Sequence, residues 1–173
     1  MNKLLAFGKT IWSGVEWVSN QMGWVAGALT GVMMIAVVRE VGGRYFFNKP
    51  SDWTDELSCY LLVGCSYLAL AHTELMEGHV RVDFVYSHFR GKVKKLADIM
   101  IPIIGLCWSA IVVWQGGKIA WQSLVNNAHS SEAMMWPLFP SQVTVPIGAF
   151  LLCLILINKI LKNFRPSDKK IME

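Results

Sequence analysis

The sequence predicts an all-α integral membrane protein with four transmembrane helices, an amphipathic lead-in, and a basic interfacial connection between helices two and three. Three observations carry this. Four apolar runs occupy roughly residues 17–38, 57–75, 96–114 and 138–157, each near the ~20 residues that cross a ~30 Å hydrocarbon core as a helix. Only 16% of residues are charged, where a soluble domain carries about a quarter. The positive charge is also concentrated on one set of connections. Lys3 and Lys9 precede the first run, and Arg81, Arg90, Lys92, Lys94 and Lys95 lie between the second and third. Lys159, Lys162, Arg165, Lys169 and Lys170 follow the fourth, while Arg39, Arg44, Lys49 and Lys118 alone lie on the opposite side. With an even number of spans, that bias places both termini in the cytoplasm.

The elements follow in chain order within a single membrane domain, 1–173. Lys9 interrupts the first apolar residues and no small-residue cleavage site follows promptly, so the N-terminus does not read as a secretory signal. Leu4, Phe7, Ile11, Val15 and Val18 recur at helical spacing. Residues 3–16 are therefore expected to lie along the cytoplasmic face as an amphipathic lead-in. The first span carries Gly23, Gly27 and Gly31, two overlapping GxxxG steps, which predict a face for close helix approach. Beyond Arg39 and Glu40 the helix can continue at a tilt through Tyr45, Phe46 and Phe47.

Pro50 breaks the pattern. Asp52 is expected to be the N-cap of the second helix, with Asp55 and Glu56 in its first turn, where acids complement the helix dipole. Gly64, Cys65, Ser66, Ala69 and Ala71 form a second small-residue surface. In residues 76–95, alternation of Val80, Val82 and Phe84 with His79, Arg81 and Asp83 competes with a short interfacial helix, and the helix is favoured. There Arg81, Arg90, Lys92, Lys94 and Lys95 are candidates to meet lipid headgroups rather than nucleic acid.

Pro102 and Gly105 predict a kink in the third span. Trp108, Trp114 and Trp121 mark its outer part, and a polar loop through Asn126, Asn127 and His129 follows. Pro146 is expected within the first turns of the fourth span, where a missing backbone donor costs least. Residues 165–173 form a polar cytoplasmic tail.

The chemistry that is missing narrows the function. Ion-handling membrane helices need polar groups at depth, and these are costly and rare. The four runs contain essentially none. There is no phosphate-binding glycine loop with lysine, no HExxH and no serine elbow, so an enzyme is not expected. Cys59, Cys65, Cys107 and Cys153 all fall inside the runs without CxxC spacing; neither disulfide nor metal is expected. A haem anchor needs two inward imidazoles at matched depth. His72 lies at the end of a span, and His79, His88 and His129 lie outside the spans, so no cofactor is expected. An autonomous four-helix exporter is the alternative; its buried acid would have to be Glu16, which precedes the first span.

Arg44, Asp52, Asp55 and Glu56 remain, at the outer interface. They read as helix capping with a loose ion pair, or as a docking contact for another subunit.

These residues also carry a resemblance. Arg44-Tyr-Phe-Phe-Asn48, Pro50, Trp53-Thr-Asp-Glu56-Leu57 and, after the second span, Gly78-His79-Val80-Arg81-Val82-Asp83 stand in an order similar to that of the small membrane subunit of tripartite ATP-independent periplasmic (TRAP) transporters. Pro146-Ile147-Gly148 at the entry to the last span also fits, and the similarity covers roughly residues 20–160. Asp55 departs from the pattern, where Glu is commoner; the acid pair is kept.

The resemblance implies a bacterial inner-membrane scaffold without catalytic residues or cofactor. Its partners would be a large multi-spanning elevator subunit that holds the sodium and substrate sites, and a periplasmic substrate-binding protein that delivers an organic acid. Candidate subunit contacts are Gly23, Gly27, Gly31, Gly64, Arg44, Trp53, Asp55 and Glu56.

Overall fold

The computed structural model describes residues 2–76, 92–132 and 134–164. These form four helices, α1 (Asn2–Phe47), α2 (Asp52–Leu75), α3 (Lys92–Val125) and α4 (Phe139–Phe164), with no named strand among the described residues. The helices pack in a row rather than a closed bundle: α1 against α2, α2 against α4, and α4 against α3, with only slight contact between α1 and α4. Large apolar side chains such as Trp24 (74% exposed) and Ile104 (62%) cover the free faces of α1 and α3. Water would penalise such faces, whereas lipid does not.

Three helices are long and apolar enough to cross a membrane, over Trp12–Phe47, Ile99–Val125 and Phe139–Leu161. The fourth expected span, α2, has 24 residues, enough length, but Asp52, Asp55, Glu56, His72 and Glu74 lower its apolar character. The position of α2 explains this composition. It is flanked by α1 and α4, and its polar ends meet partners within the protein.

The expected lead-in is no separate element: residues 3–16 are the first turns of α1, which runs unbroken to Phe47. Nothing in the sequence stops it, because the residues joining the two segments are neither Gly nor Pro. It ends at Asn48, whose φ of 54° is left-handed, with the Lys49 N–H donating to the Gly43 carbonyl (3.1 Å) and Pro50 next.

α3 continues about eleven residues past its expected end at 114, to Val125. Asn127 (φ 45°) closes it, the Ala128 N–H donating to the Ser123 carbonyl (2.9 Å) and the Asn127 N–H to the Leu124 carbonyl (3.4 Å), a Schellman arrangement. Pro102 lies inside this continuous helix. Pro146 is the eighth residue of α4, beyond the first turn, and it is Pro140 that occupies the harmless first-turn position. Pro146 finds room because α3 presents Gly116, where a Cβ would lie 3.4 Å from its ring.

The α1–α2 seam follows Ser19, Met22, Gly23, Ala26, Leu29, Met33, Ala36 and Glu40, a stripe with steps mostly of three and four residues. Ala26, Cys65 and Leu68 form its core, with Met22, Leu29 and Ala69 packed around them. Gly23 lies under the His72 ring, and a Cβ at Gly64 would touch Leu29 at 3.6 Å. A Cβ at Gly27 or Gly31 would meet nothing within 4 Å. The reason is geometric: each four-residue step overshoots a full turn by about 40°, so Gly31 lies about 80° around the helix from Gly23. α2 and α4 approach closely at Gly148, where a Cβ would collide with the Tyr67 backbone carbonyl. The α3–α4 seam includes Gly105 against Leu156 and a Cys153 Sγ–H donating to Ser109 Oγ at 3.0 Å.

Candidate functional site, a charge hub and a loop clamp at the outer end

Charged side chains gather at two levels. One lies near the chain termini and contains Glu16, Glu74 and Lys159; the other, called the outer end after the expected orientation, contains Arg39, Glu40, Arg44, Asp55 and Glu56. At 1.5 Å per residue, Glu16 and Glu40 on α1 are separated by about 36 Å, and Glu56 and Glu74 on α2 by about 27 Å. These separations bracket the ~30 Å hydrocarbon thickness. Between the two levels the described parts of α1, α2 and α4 carry no Asp, Glu, Lys or Arg, while α3 carries Lys118, whose Nζ lies over the Trp114 ring, 5.8 Å from its centre.

Glu40 is the hub of the outer level and is 4% exposed. It lies near the end of α1, and the tight Asn48–Pro50 turn brings the start of α2 back against it. Its Oε1 accepts from Arg44 Nε (2.7 Å) and from the Ser51 backbone N–H (3.0 Å). Its Oε2 accepts from the Ser51 hydroxyl and from Thr54 Oγ1 (3.3 Å).

The expectation that Asp52 caps α2 is thereby corrected. Ser51 is the N-cap, in extended conformation (φ −118°, ψ 129°), and makes no side-chain cap of its own; Asp52 is the first helical residue. Glu40 of the preceding helix supplies the acceptor, placing negative charge at the positive end of the α2 dipole.

Arg39 stacks over Trp53 (5.3 Å to the ring centre) and donates to Ser51 Oγ (2.9 Å). Arg44 Nη2 also pairs with Asp55 Oδ2 at 3.2 Å, a contact open to solvent. Arg39, Arg44, Trp53 and Asp55 therefore form one outward-facing patch on the hub. The predicted trio Arg44, Trp53 and Asp55 is brought together, whereas Glu56 points the other way.

Glu56 is 3% exposed, and its Oε1 accepts the Trp136 backbone N–H at 3.2 Å. One turn on, the Tyr60 hydroxyl donates to the Trp136 carbonyl (3.2 Å), and the two rings meet edge to face with centres 6.0 Å apart. The same carbonyl accepts from the Ser130 N–H (2.8 Å), inside a loop closed by the Leu138 N–H bonding to the Ala128 carbonyl (3.0 Å). The α3–α4 loop is thus clamped onto α2 through both polar groups of one peptide residue.

The sequence reading missed Glu40, Ser51, Thr54, Tyr60 and Trp136. A signal existed only for Glu40, four residues before Arg44 and so on the same helix face. Of the headgroup candidates, Arg81 and Arg90 lie outside the described residues, as do His79 and Asp83 of the motif, and Lys92, Lys94 and Lys95 open α3. Among the described residues, no group of three or more His, Cys, Asp or Glu side chains is placed to hold a metal ion.

The fold defines a multi-pass membrane protein. The TRAP-transporter resemblance of the sequence is upheld by the family comparison. Residues 33–166 match the model of the DctQ component of tripartite ATP-independent periplasmic transporters, and the chain belongs to that family. It is a small accessory component of such a transporter. It is also similar to the isethionate TRAP transporter permease protein DctMQ of Oleidesulfovibrio alaskensis, 21% identical over 113 residues, 65% of this chain. The matched region spans 18% of that protein's length.

Proposed function

We propose that this chain is the scaffold subunit of a sodium-coupled importer of organic acids in a bacterial inner membrane, with both termini cytoplasmic. It braces a large elevator-type subunit, which carries the sodium and substrate sites. The patch of Arg39, Arg44, Trp53 and Asp55 contributes to the surface on which a periplasmic substrate-binding protein docks.

One observation carries this reading: between the two charged levels α1, α2 and α4 hold no Asp, Glu, Lys or Arg, and Lys118 of α3 lies in the half nearer the α3–α4 loop, over Trp114. Helices of that kind can hold a neighbour steady but offer a charged solute nothing at depth. The basic bias of the terminal side supports the orientation. The relative's name, which specifies isethionate, supports an organic acid as substrate.

The test is reconstitution in liposomes with a sodium gradient. The chain alone is expected to move no organic acid, and uptake is expected only with the large subunit and binding protein present. Uptake by the chain alone would overturn the scaffold reading.

A further inference from the structure

We propose that the free face of α3 seats a transmembrane helix of the large subunit, and that this helix presents a carboxylate to Lys118. α3 ends the row of four helices and packs on α4. On its open side Cys107, Ile111, Trp114, Lys118, Trp121 and Val125 follow one another at steps of four, three, four, three and four residues. All six are exposed, Trp114 at 68% and Trp121 at 66%. Steps that average about 3.5 residues are the period of a seam in which side chains of one helix enter the gaps of another. α3 meets α4 through a different face, that of Gly105, Ser109 and Gly116. At about 100° per residue, Lys118 lies nearly opposite Gly116 around the helix.

The charge identifies the occupant. Lys118 lies inside the span Ile99–Val125, about 10 Å along the helix from its end at Val125. Its ammonium is 5.8 Å from the centre of the Trp114 ring, and Trp114 is one turn back, away from the α3–α4 loop. A lysine that serves lipid headgroups extends the other way, toward the interface. Among the described residues no acid pairs with Lys118. A cation at that depth on an apolar face is costly, and such side chains are satisfied by a partner inside a protein contact. Trp114 and Trp121 add indole N–H groups, which only donate. The face thus offers donors and one positive charge, and its complement is a helix that carries an acid.

A second copy of this chain does not supply that acid. Between the two charged levels α1, α2 and α4 hold no Asp or Glu. Two α3 helices related by a two-fold axis along the membrane normal would bring Lys118 against Lys118. The occupant is therefore a different membrane chain, and the large subunit in that place rests on the scaffold function proposed above. In such a seam the apolar and aromatic positions supply contact area, while the single charged position fixes partner and register.

The experiment is copurification of the full-length chain with the coexpressed large subunit, read beside the Tm of the chain purified alone. Lys118→Met removes the charge and keeps the apolar stem. It is expected to leave the Tm of the chain alone unchanged and to lower recovery of the large subunit roughly tenfold, whereas Lys118→Arg retains most of it. A photoreactive benzoylphenylalanine substituted at Ile111 is expected to crosslink to the large subunit. Full recovery of the large subunit with Lys118→Met overturns the proposal and leaves the scaffold role standing. So do adducts from position 111 that form only with lipid or with a second copy of this chain. Failure of the unaltered pair to copurify overturns both.

Discussion

Glu40 of α1 accepts the backbone N–H of Ser51, the N-cap of α2, at 3.0 Å. One helix thus caps the next. The first of the four orphan donors at a helix start is satisfied by a carboxylate held eleven residues earlier in the chain, and the turn between the helices is tied shut.

That arrangement ranks three substitutions. Glu40→Ala removes the acceptor of four donors at once and is expected to lower the melting temperature of the detergent-purified protein by several degrees. Arg44→Ala should cost less, since its guanidinium is half exposed, and Asp55→Ala least. Thermal unfolding followed by circular dichroism gives the order; a Glu40→Ala variant as stable as Asp55→Ala would show that the hub does not hold the turn.

Glu56 and Tyr60 grip the two sides of one residue, Trp136. Glu56→Ala leaves a buried N–H without its acceptor and should cost about 2 kcal/mol, whereas Tyr60→Phe should cost about 1 kcal/mol. Glu56→Gln retains an acceptor oxygen and should restore most of the loss. A double-mutant cycle between positions 56 and 60 is expected to show coupling, because both bonds immobilise the same peptide group. Strict additivity would mean that the loop is held elsewhere.

Glycines divide by what a methyl group would meet. Gly148→Ala drives a Cβ into the Tyr67 carbonyl and should cost about 1–3 kcal/mol or more as α2 and α4 are pushed apart. A Cβ at Gly27 meets nothing within 4 Å, so Gly27→Leu should leave the isolated chain as stable as before. If the open Gly27–Gly31 face meets the large subunit, the same variant should reduce copurification with it. Destabilised chain with unchanged copurification would reverse both expectations.

Orientation is testable through the outer loop. A cysteine placed at the exposed Glu132 is expected to react with a membrane-impermeant maleimide applied to spheroplasts. Of the native thiols, Cys65 and Cys153 are buried and should stay silent, while the exposed Cys59 and Cys107 are replaced by Ser for this test. Labelling only after permeabilisation would invert the topology.

Much of this molecule was legible before its structure. Apolar runs reveal spans because every lipid-facing position must be apolar, whatever the packing. The acid pair at the start of α2 announced a special place, yet its two members look in opposite directions: Asp55 to solvent and Arg44, Glu56 into the protein and Trp136. The helical wheel alone separates them, but only packing says which side is inside. The glycine steps were visible too. Which glycines are spent inside the chain depended on the drift of a four-residue repeat relative to a seam that averages about 3.5. Tyr60 and Trp136 lie 76 residues apart and left no local signal.

What the sequence alone determined is that helices of this length and composition belong in a bilayer, and which residues lie at its two edges, because hydration of charge acts on each side chain independently of its neighbours. What only the tertiary structure decided is the row order α1, α2, α4, α3, the capping of α2 by Glu40, and the clamp on Trp136. Those depend on contacts between residues far apart in the chain, whose partners are chosen by shape and directional hydrogen bonds rather than by hydropathy.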